Sequence, residues 1–158
     1  MFARYYVELA RPFEAVEARL LDDPGTWVPG LLKAAEDRGH RLLAEVGLGS
    51  EGRRIDKKVE IELGAPQGTP SVRVLPISWR ATGPQWLFPL LDGDIELAAL
   101  GSARTQLSIS ACYQPPLGAV GRVLDRALLH RVAEATLKDF LEGIAEHLDT
   151  REPATARR

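Results

Sequence analysis

The longest stretch of helical periodicity lies near the C-terminus, from Leu117 to Leu148. Apolar residues recur there at three- and four-residue steps, which places them on one face of a helix with 3.6 residues per turn. Charged residues such as Lys138 and Glu142 fall on the opposite face. A helix of this length would run roughly 45 Å at 1.5 Å per residue. The pattern therefore predicts a long amphipathic helix whose apolar face other elements must cover.

Most of the remaining chain alternates apolar and polar residues, as strands with one buried face do. The predicted strands are Tyr5 to Leu9, Leu42 to Leu48, Val59 to Leu63, Val72 to Trp79, Ile95 to Ala99 and Thr105 to Ala111. Short strands joined by turn signals indicate an antiparallel meander. Asp92-Gly93-Asp94 is interpreted as a break before Ile95. Pro76 predicts an edge position or a bulge, and the change of parity there leaves the facing of Ser78 and Arg80 open.

Two short helices are predicted between the first two strands. Pro12 stands where a helix can begin, and Phe13 to Leu21 carries a short helical stripe. A second stripe runs from Trp27 to Ala35, with Gly39 as its C-cap. The order of strand, two short helices, strands and one long helix indicates an α+β fold, in which the helix covers one face of an antiparallel sheet.

The composition of the chain limits which binding partners and which cellular compartment are expected. The 158 residues, 45% of them hydrophobic, suffice for one core, so residues 1–148 are predicted to form one domain. Residues 149–158 lack apolar periodicity and are predicted to be a disordered tail. A net charge of -2 argues against nucleic-acid binding. The chain shows no signal-peptide pattern and no apolar run of about 18 residues, which predicts a cytoplasmic protein without stable membrane insertion.

Three stretches carry a resemblance to a known superfamily. They are Val7 to Val16 with the Asp22 to Trp27 break that follows it, the glycine-bearing turn Gly47 to Gly52, and Tyr113 to Gly118 leading into the long helix. The chain resembles the START/Bet v 1-like superfamily (SRPBCC), which includes polyketide cyclase/dehydrase and lipid transport proteins. The resemblance implies a helix-grip fold: a curved antiparallel sheet wrapped around a long C-terminal helix, with two short helices after the first strand.

The resemblance also implies a function. It predicts a cavity between the sheet and the long helix that binds or transports a small hydrophobic or amphipathic molecule. One alternative is a polyketide cyclase/aromatase-like or dehydratase-like enzyme that works without metal. Another is a protein-interaction module that uses the apolar segment 85–91. Shared fold does not choose among these, so no catalytic residue is assigned and no cofactor is expected.

The candidate cavity residues combine the apolar face of the strands and of the long helix with neighbouring aromatic and polar side chains. They are Tyr5, Val59, Ile61, Trp79, Arg80, Trp86, Phe88, Leu97, Leu107, Leu137 and Phe140. Trp79 fits a core position as well as a ligand platform. An inward Arg80 would need an anionic partner or a ligand, because an unpaired buried charge is costly; the alternative is a solvent-exposed side chain.

Other motifs have plainer interpretations. The Gly47 to Gly52 turn lacks the Walker pattern and is interpreted as a hairpin, with a role at the cavity mouth as the alternative. His40, His130 and His147 match no zinc-binding spacing. Cys112 is interpreted as a buried small residue rather than as a nucleophile.

The segment 85–91 is the most apolar one outside the regular elements. A solvent-facing loop would not hold so many large apolar residues together, because such a patch favours association. It can be hidden as a bent strand start that brings Trp86 and Phe88 to the cavity rim, as a lid, or as the contact of a homodimer.

Overall fold

The computed structural model describes residues 2–45, 58–82, 90–114 and 126–149. Within them lie six strands and three helices. In chain order these are β1 Phe2–Leu9, α1 Phe13–Leu20, α2 Pro24–Glu45, β2 Lys58–Leu63, β3 Gln67–Thr69, β4 Val72–Thr82, β5 Leu90–Ala99, β6 Thr105–Gln114 and α3 Arg126–Asp149. The α+β class is therefore confirmed, with five of these six strands following one another between α2 and α3.

The strands form one antiparallel sheet in the order β1-β6-β5-β4-β2, and the short β3 also pairs with β4. Register and burial give the sheet two distinct faces. Leu75, Ile95 and Ile109 lie opposite one another on the face that is buried, which we call the inner face. Asp92 and Asp94 are exposed on the outer face. The alternation of apolar and polar residues thus predicted the correct side for these strands.

The long helix α3 lies on the inner face, close to β1 and β6. Its C-terminal end is held by Arg11, whose Nε donates to Oδ1 of Asp149 at 2.8 Å. About two turns earlier in α3, Glu142 accepts a hydrogen bond at its Oε1 from the hydroxyl of Tyr5 of β1, at 3.3 Å. Since these contacts run along β1 from its end towards its start, α3 begins at the end of the sheet where β6 ends.

The core forms where α1, α2 and α3 meet the inner face. Its buried members are Leu9, Phe13, Val16, Leu20, Val28, Leu32, Leu75, Ile77, Trp79, Ile95, Leu97, Leu107, Ile109, Ala111, Leu137, Phe140, Leu141, Ile144 and Leu148. The apolar stripe predicted for the long helix supplies five of them, from Leu137 to Leu148. The helix continues one residue beyond the predicted end of the domain, to Asp149, and residues 117–125 and 150–158 lie outside the described residues.

The prediction of a strand from Leu42 to Leu48 is wrong in its first part, because α2 runs to Glu45. The second helix is therefore 22 residues long, and Gly39 lies inside it instead of capping it. The physical reason is packing: α2 runs antiparallel to α3, with Trp27 stacked on His147 at a centroid distance of 4.5 Å. The remainder of that predicted strand lies outside the described residues.

Two predictions about the middle strands are also wrong. Asp92, Gly93 and Asp94 form no break, because β5 continues through them with unbroken pairing to β4 and β6. Pro76 causes neither an edge position nor a bulge on the β5 side, where it lies opposite Asp94. It falls between the stretches of β4 that pair with β3 and with β2. Parity is therefore constant along β4, and Ser78 faces outward, opposite to Trp79.

Among the helices described, none is both long enough and apolar enough to cross a lipid bilayer.

Candidate functional site

The candidate site lies at the boundary of the packed core where Trp79 of β4 meets Phe140 of α3. Trp79 of β4 is 3% exposed, and its ring meets the ring of Phe140 edge to face, with centroids 6.1 Å apart and planes at 89°. Such a geometry is favourable because the positive ring edge meets the negative ring face. Ile61 lies opposite Trp79 on β2, packs against the core and is only partly buried. These three side chains form an apolar boundary of the core.

Backbone elements continue beyond this boundary on both sides. β4 extends past Trp79 to Thr82, and β2 begins before Ile61, at Lys58. α3 begins at Arg126, roughly three turns before Leu137, a buried residue of its stripe. The backbones of β2, β4 and α3 therefore extend beyond the three residues of this boundary.

A polar contact lies beside the core at the other edge of the sheet. The hydroxyl of Tyr5 and the ammonium of Lys138 both approach Oε1 of Glu142, at 3.3 Å and 3.9 Å. Tyr5 is partly buried, and a phenol in such a position needs a hydrogen-bond partner. The sequence predicted the inward side of Tyr5 but not Glu142, because this partner is 137 residues away. This contact joins β1 to α3.

The predicted site residues fall into four groups. Five of them are members of the buried core: Trp79, Leu97, Leu107, Leu137 and Phe140. Tyr5 and Ile61 are partly buried and pack against that core. For Val59 and Arg80 the structure describes the backbone, which pairs with Ala81 and Glu60. Trp86 and Phe88 lie outside the described residues, as do the rest of segment 85–91 apart from Leu90 and Leu91, and the whole of the Gly47 to Gly52 turn. A part for these residues in ligand binding stays a prediction.

Cys112 is exposed, and the interpretation of this thiol as a buried residue is wrong. It follows the inward Ala111, so strand alternation places it on the outer face. There it lines a shallow groove of about 530 Å³ together with Glu62, Ser78 and Asp92. The alternation in β6 could have predicted this position.

In the described ranges, no three side chains of His, Cys, Asp or Glu lie close enough together to hold a metal ion.

No protein-family model matches the chain, and no curated protein matches it. Solved structures do. A conserved protein of Geobacillus kaustophilus is similar over 94% of this chain and 95% of its own, with a TM-score of 0.54 and 19% identity. A hypothetical protein of Helicobacter pylori is similar over 92% of this chain and 86% of its own, with a TM-score of 0.53 and 10% identity. The fold of this chain is an antiparallel sheet with two helices after β1 and a C-terminal helix on the inner face. This arrangement is the helix-grip fold.

The predicted helix-grip fold is thus confirmed. A Streptomyces aromatase/cyclase is also similar, over 92% of this chain and 94% of its own, with 16% identity and a TM-score of 0.41. Likeness at these levels of identity shows the fold alone, because one fold hosts many activities. Function must therefore be argued from the side chains of the site.

Proposed function

We propose that this helix-grip protein binds a small hydrophobic or amphipathic molecule at the end of its core, against Ile61, Trp79 and Phe140. The observation that supports this most is the partial exposure of the Ile61 side chain. Its side chain belongs to the apolar inner face and packs against the core, yet it stays partly exposed. Covering exposed apolar surface is favourable by about 25 cal/mol per Å². An apolar ligand at this place would gain that free energy.

The continuation of the backbone supports the same position. β2 and β4 extend past Ile61 and Trp79, and α3 begins roughly three turns before the buried Leu137, so backbone continues beyond this boundary of the core. Ligand sites are commonly concave and mostly apolar. The edge-to-face pair of Trp79 and Phe140 closes the core directly behind this site, because both rings are buried.

Binding is favoured over catalysis by the chemistry of these side chains. The three described residues that bound the site are apolar and offer neither an acid nor a base, and catalysis by proton transfer needs such a group within hydrogen-bond distance of the substrate. The polar contact of Tyr5 with Glu142 lies on β1, at the opposite edge of the sheet from β2. We therefore place the apolar part of the ligand at Trp79.

A first experiment asks whether the protein carries a ligand at all. Native mass spectrometry of the full chain, purified from its own host, should show an additional mass that denaturing conditions release. Titration with 1-anilinonaphthalene-8-sulfonate, an apolar fluorescent probe, should give saturable binding to the emptied protein.

A matched pair of variants then locates the site. Ile61→Asn places an amide on the inner face beside Trp79, and Ser78→Asn places the same amide on the outer face of the adjacent strand. An unsatisfied amide in an apolar site costs about 1 to 3 kcal/mol, so Ile61→Asn should weaken probe binding roughly tenfold. Ser78→Asn should leave it unchanged. Equal effects of the two variants, or no retained mass and no saturable probe binding by the wild type, would contradict the proposal.

A further inference from the structure

Strand β1 is an edge of the sheet with unusual exposed residues. Two of its outer-face side chains, Phe2 and Tyr6, are 63% and 59% exposed. Along one side β1 pairs with β6 in an unbroken register. Within the part of the chain that the structure describes, no strand lies along its other side. Edge strands are usually protected by proline, by charged side chains, above all lysine, or by a bulge. β1 has neither proline nor lysine, and its exposed charged residues, Arg4 and Glu8, are of opposite sign.

We propose that β1 pairs antiparallel with β1 of a second copy, about a two-fold axis at Tyr6. This surface does not involve the ligand site, so the inference is independent of the proposed function. A two-fold interface uses the same surface on both subunits and must therefore be complementary to itself. The outer face of β1 meets this condition. Pairing about Tyr6 places Arg4 opposite the partner's Glu8, Glu8 opposite the partner's Arg4, and the two Tyr6 rings opposite each other.

Charge selects this register over its neighbours. When the two outer faces lie on the same side, even-numbered residues of one strand pair with even-numbered residues of the other, because side chains alternate along a strand. The numbers of two paired residues then add up to an even total, and neighbouring registers of this kind differ by two in that total. A register centred on Arg4 would oppose two arginines, and one centred on Tyr5 would oppose Phe2 to the partner's Glu8. The register about Tyr6 forms two ion pairs and also brings the exposed Phe2 next to the partner's Ala10. Opposite charges at directly paired positions stabilise a sheet, whereas like charges destabilise it.

The ion pairs that Arg4 and Glu8 form within one chain do not prevent them from pairing with a second copy. Arg4 lies 3.5 Å from Glu96, and Glu8 lies 3.4 Å from Arg104. All four side chains are at least 36% exposed, and exposed ion pairs contribute little because water and salt screen them. Arg4 and Glu8 are therefore available to a partner.

Helix α3 lies over β1 on the inner face, and edge pairing would bring the α3 helices of the two copies side by side. The flank of α3 that contacts Tyr5 is polar. Its Lys138 and Glu142 are 51% and 45% exposed and keep their charged ends at the surface. Such a flank can stay hydrated next to its copy, so the contact depends on the strands.

Sedimentation velocity of the full chain, from about 1 to 500 µM, tests the charge pattern. The wild type should dimerise as concentration rises. Glu8→Arg and Arg4→Glu should each weaken dimerisation at least about tenfold, because the two-fold axis turns one substitution into two like-charge contacts. The double variant Arg4→Glu/Glu8→Arg should recover the wild-type dissociation constant to within about threefold. Arg104→Gln, which removes only the intramolecular partner of Glu8, should leave dimerisation unchanged.

A cross-link tests the register. Paired Cα atoms in an antiparallel ladder lie about 4.5 to 5.5 Å apart, within the range of a disulfide. In a Cys112→Ser background, Tyr6→Cys should form a covalent dimer on oxidation. Arg4→Cys should not, because its copy lies four residues away along the strand, roughly 13 Å. A monomeric wild type at every concentration, a double variant as weak as the singles, or equal cross-linking at both positions would overturn the proposal.

Discussion

Gly93 offers the sharpest test of how the sheet is built. It lies in β5 on the inner face, opposite Ile77 and Ala111. A Cβ atom at Gly93 would come within 2.5 Å of the carbonyl oxygen of Ser110 and 2.9 Å of the Cβ of Ala111. Its backbone φ is not in the left-handed region, so the constraint is one of space. Gly93→Ala must therefore push β5 and β6 apart or distort them.

The magnitude follows from two opposing effects. Adding a methyl group to a packed core costs about 1 to 3 kcal/mol. Replacing glycine by alanine in a chain that can accept it returns about 0.4 to 1 kcal/mol, because the unfolded chain loses freedom. We expect Gly93→Ala to lower the free energy of unfolding by about 1 to 2 kcal/mol. Gly30→Ala is the matched control, since α2 has nothing within 4 Å of that Cβ position; it should raise the free energy of unfolding by about 0.5 to 1 kcal/mol.

Urea unfolding followed by circular dichroism measures both variants. The slope of free energy against urea should stay the same, so that the midpoints report stability. The two glycine-to-alanine changes should shift stability in opposite directions and differ by about 1.5 to 3 kcal/mol. If Gly93→Ala proved as stable as Gly30→Ala, the close approach of β5 to β6 would not be a constraint, and the interpretation of this position would be wrong.

Three further predictions concern the core, an ion pair and the C-terminus. Phe140→Ala should cost about 3 to 5 kcal/mol of unfolding free energy because the ring is fully buried, whereas Leu100→Ala at the exposed hairpin should cost under about 1; a loss below half a kcal/mol for Phe140 would refute its core position. Glu17 and Arg73 are 21% and 26% exposed and lie 2.5 Å apart, so a double-mutant cycle should give a coupling of about 1 to 2 kcal/mol, and a coupling near zero would show that the pair does not hold α1 to the sheet. Deleting residues 152–158 should leave Tm unchanged in calorimetry, since no apolar periodicity reaches them; a drop of several degrees would mean that they bind the domain.

Local patterns were sufficient for much of the fold. The alternation from Val59 to Leu63 predicted β2, and that from Thr105 to Ala111 predicted β6 and its buried side, because every second residue of a strand points to the same face. The stripe from Leu137 to Leu148 predicted the buried face of α3 for the analogous helical reason. In each case the residue pattern has a single period that leaves little choice of structure.

The prediction from local sequence was wrong where one residue pattern is compatible with two kinds of secondary structure. The run from His40 to Glu45 reads as alternating, yet arginine, leucine, alanine and glutamate are also good helix formers. Packing of α2 along α3 decides in favour of the helix. Asp92, Gly93 and Asp94 resemble a turn, but pairing on both sides keeps them in β5.

The sequence by itself therefore determined the class of the fold, the side of most strand residues and the apolar face of the long helix, since these depend on neighbours a few positions apart. The tertiary structure decided what depends on distant residues. It placed Phe140 against Trp79, gave the hydroxyl of Tyr5 its partner Glu142, and left Ile61 partly exposed at the end of the core. These contacts join residues far apart in the chain, and only the way α3 crosses the sheet brings them together.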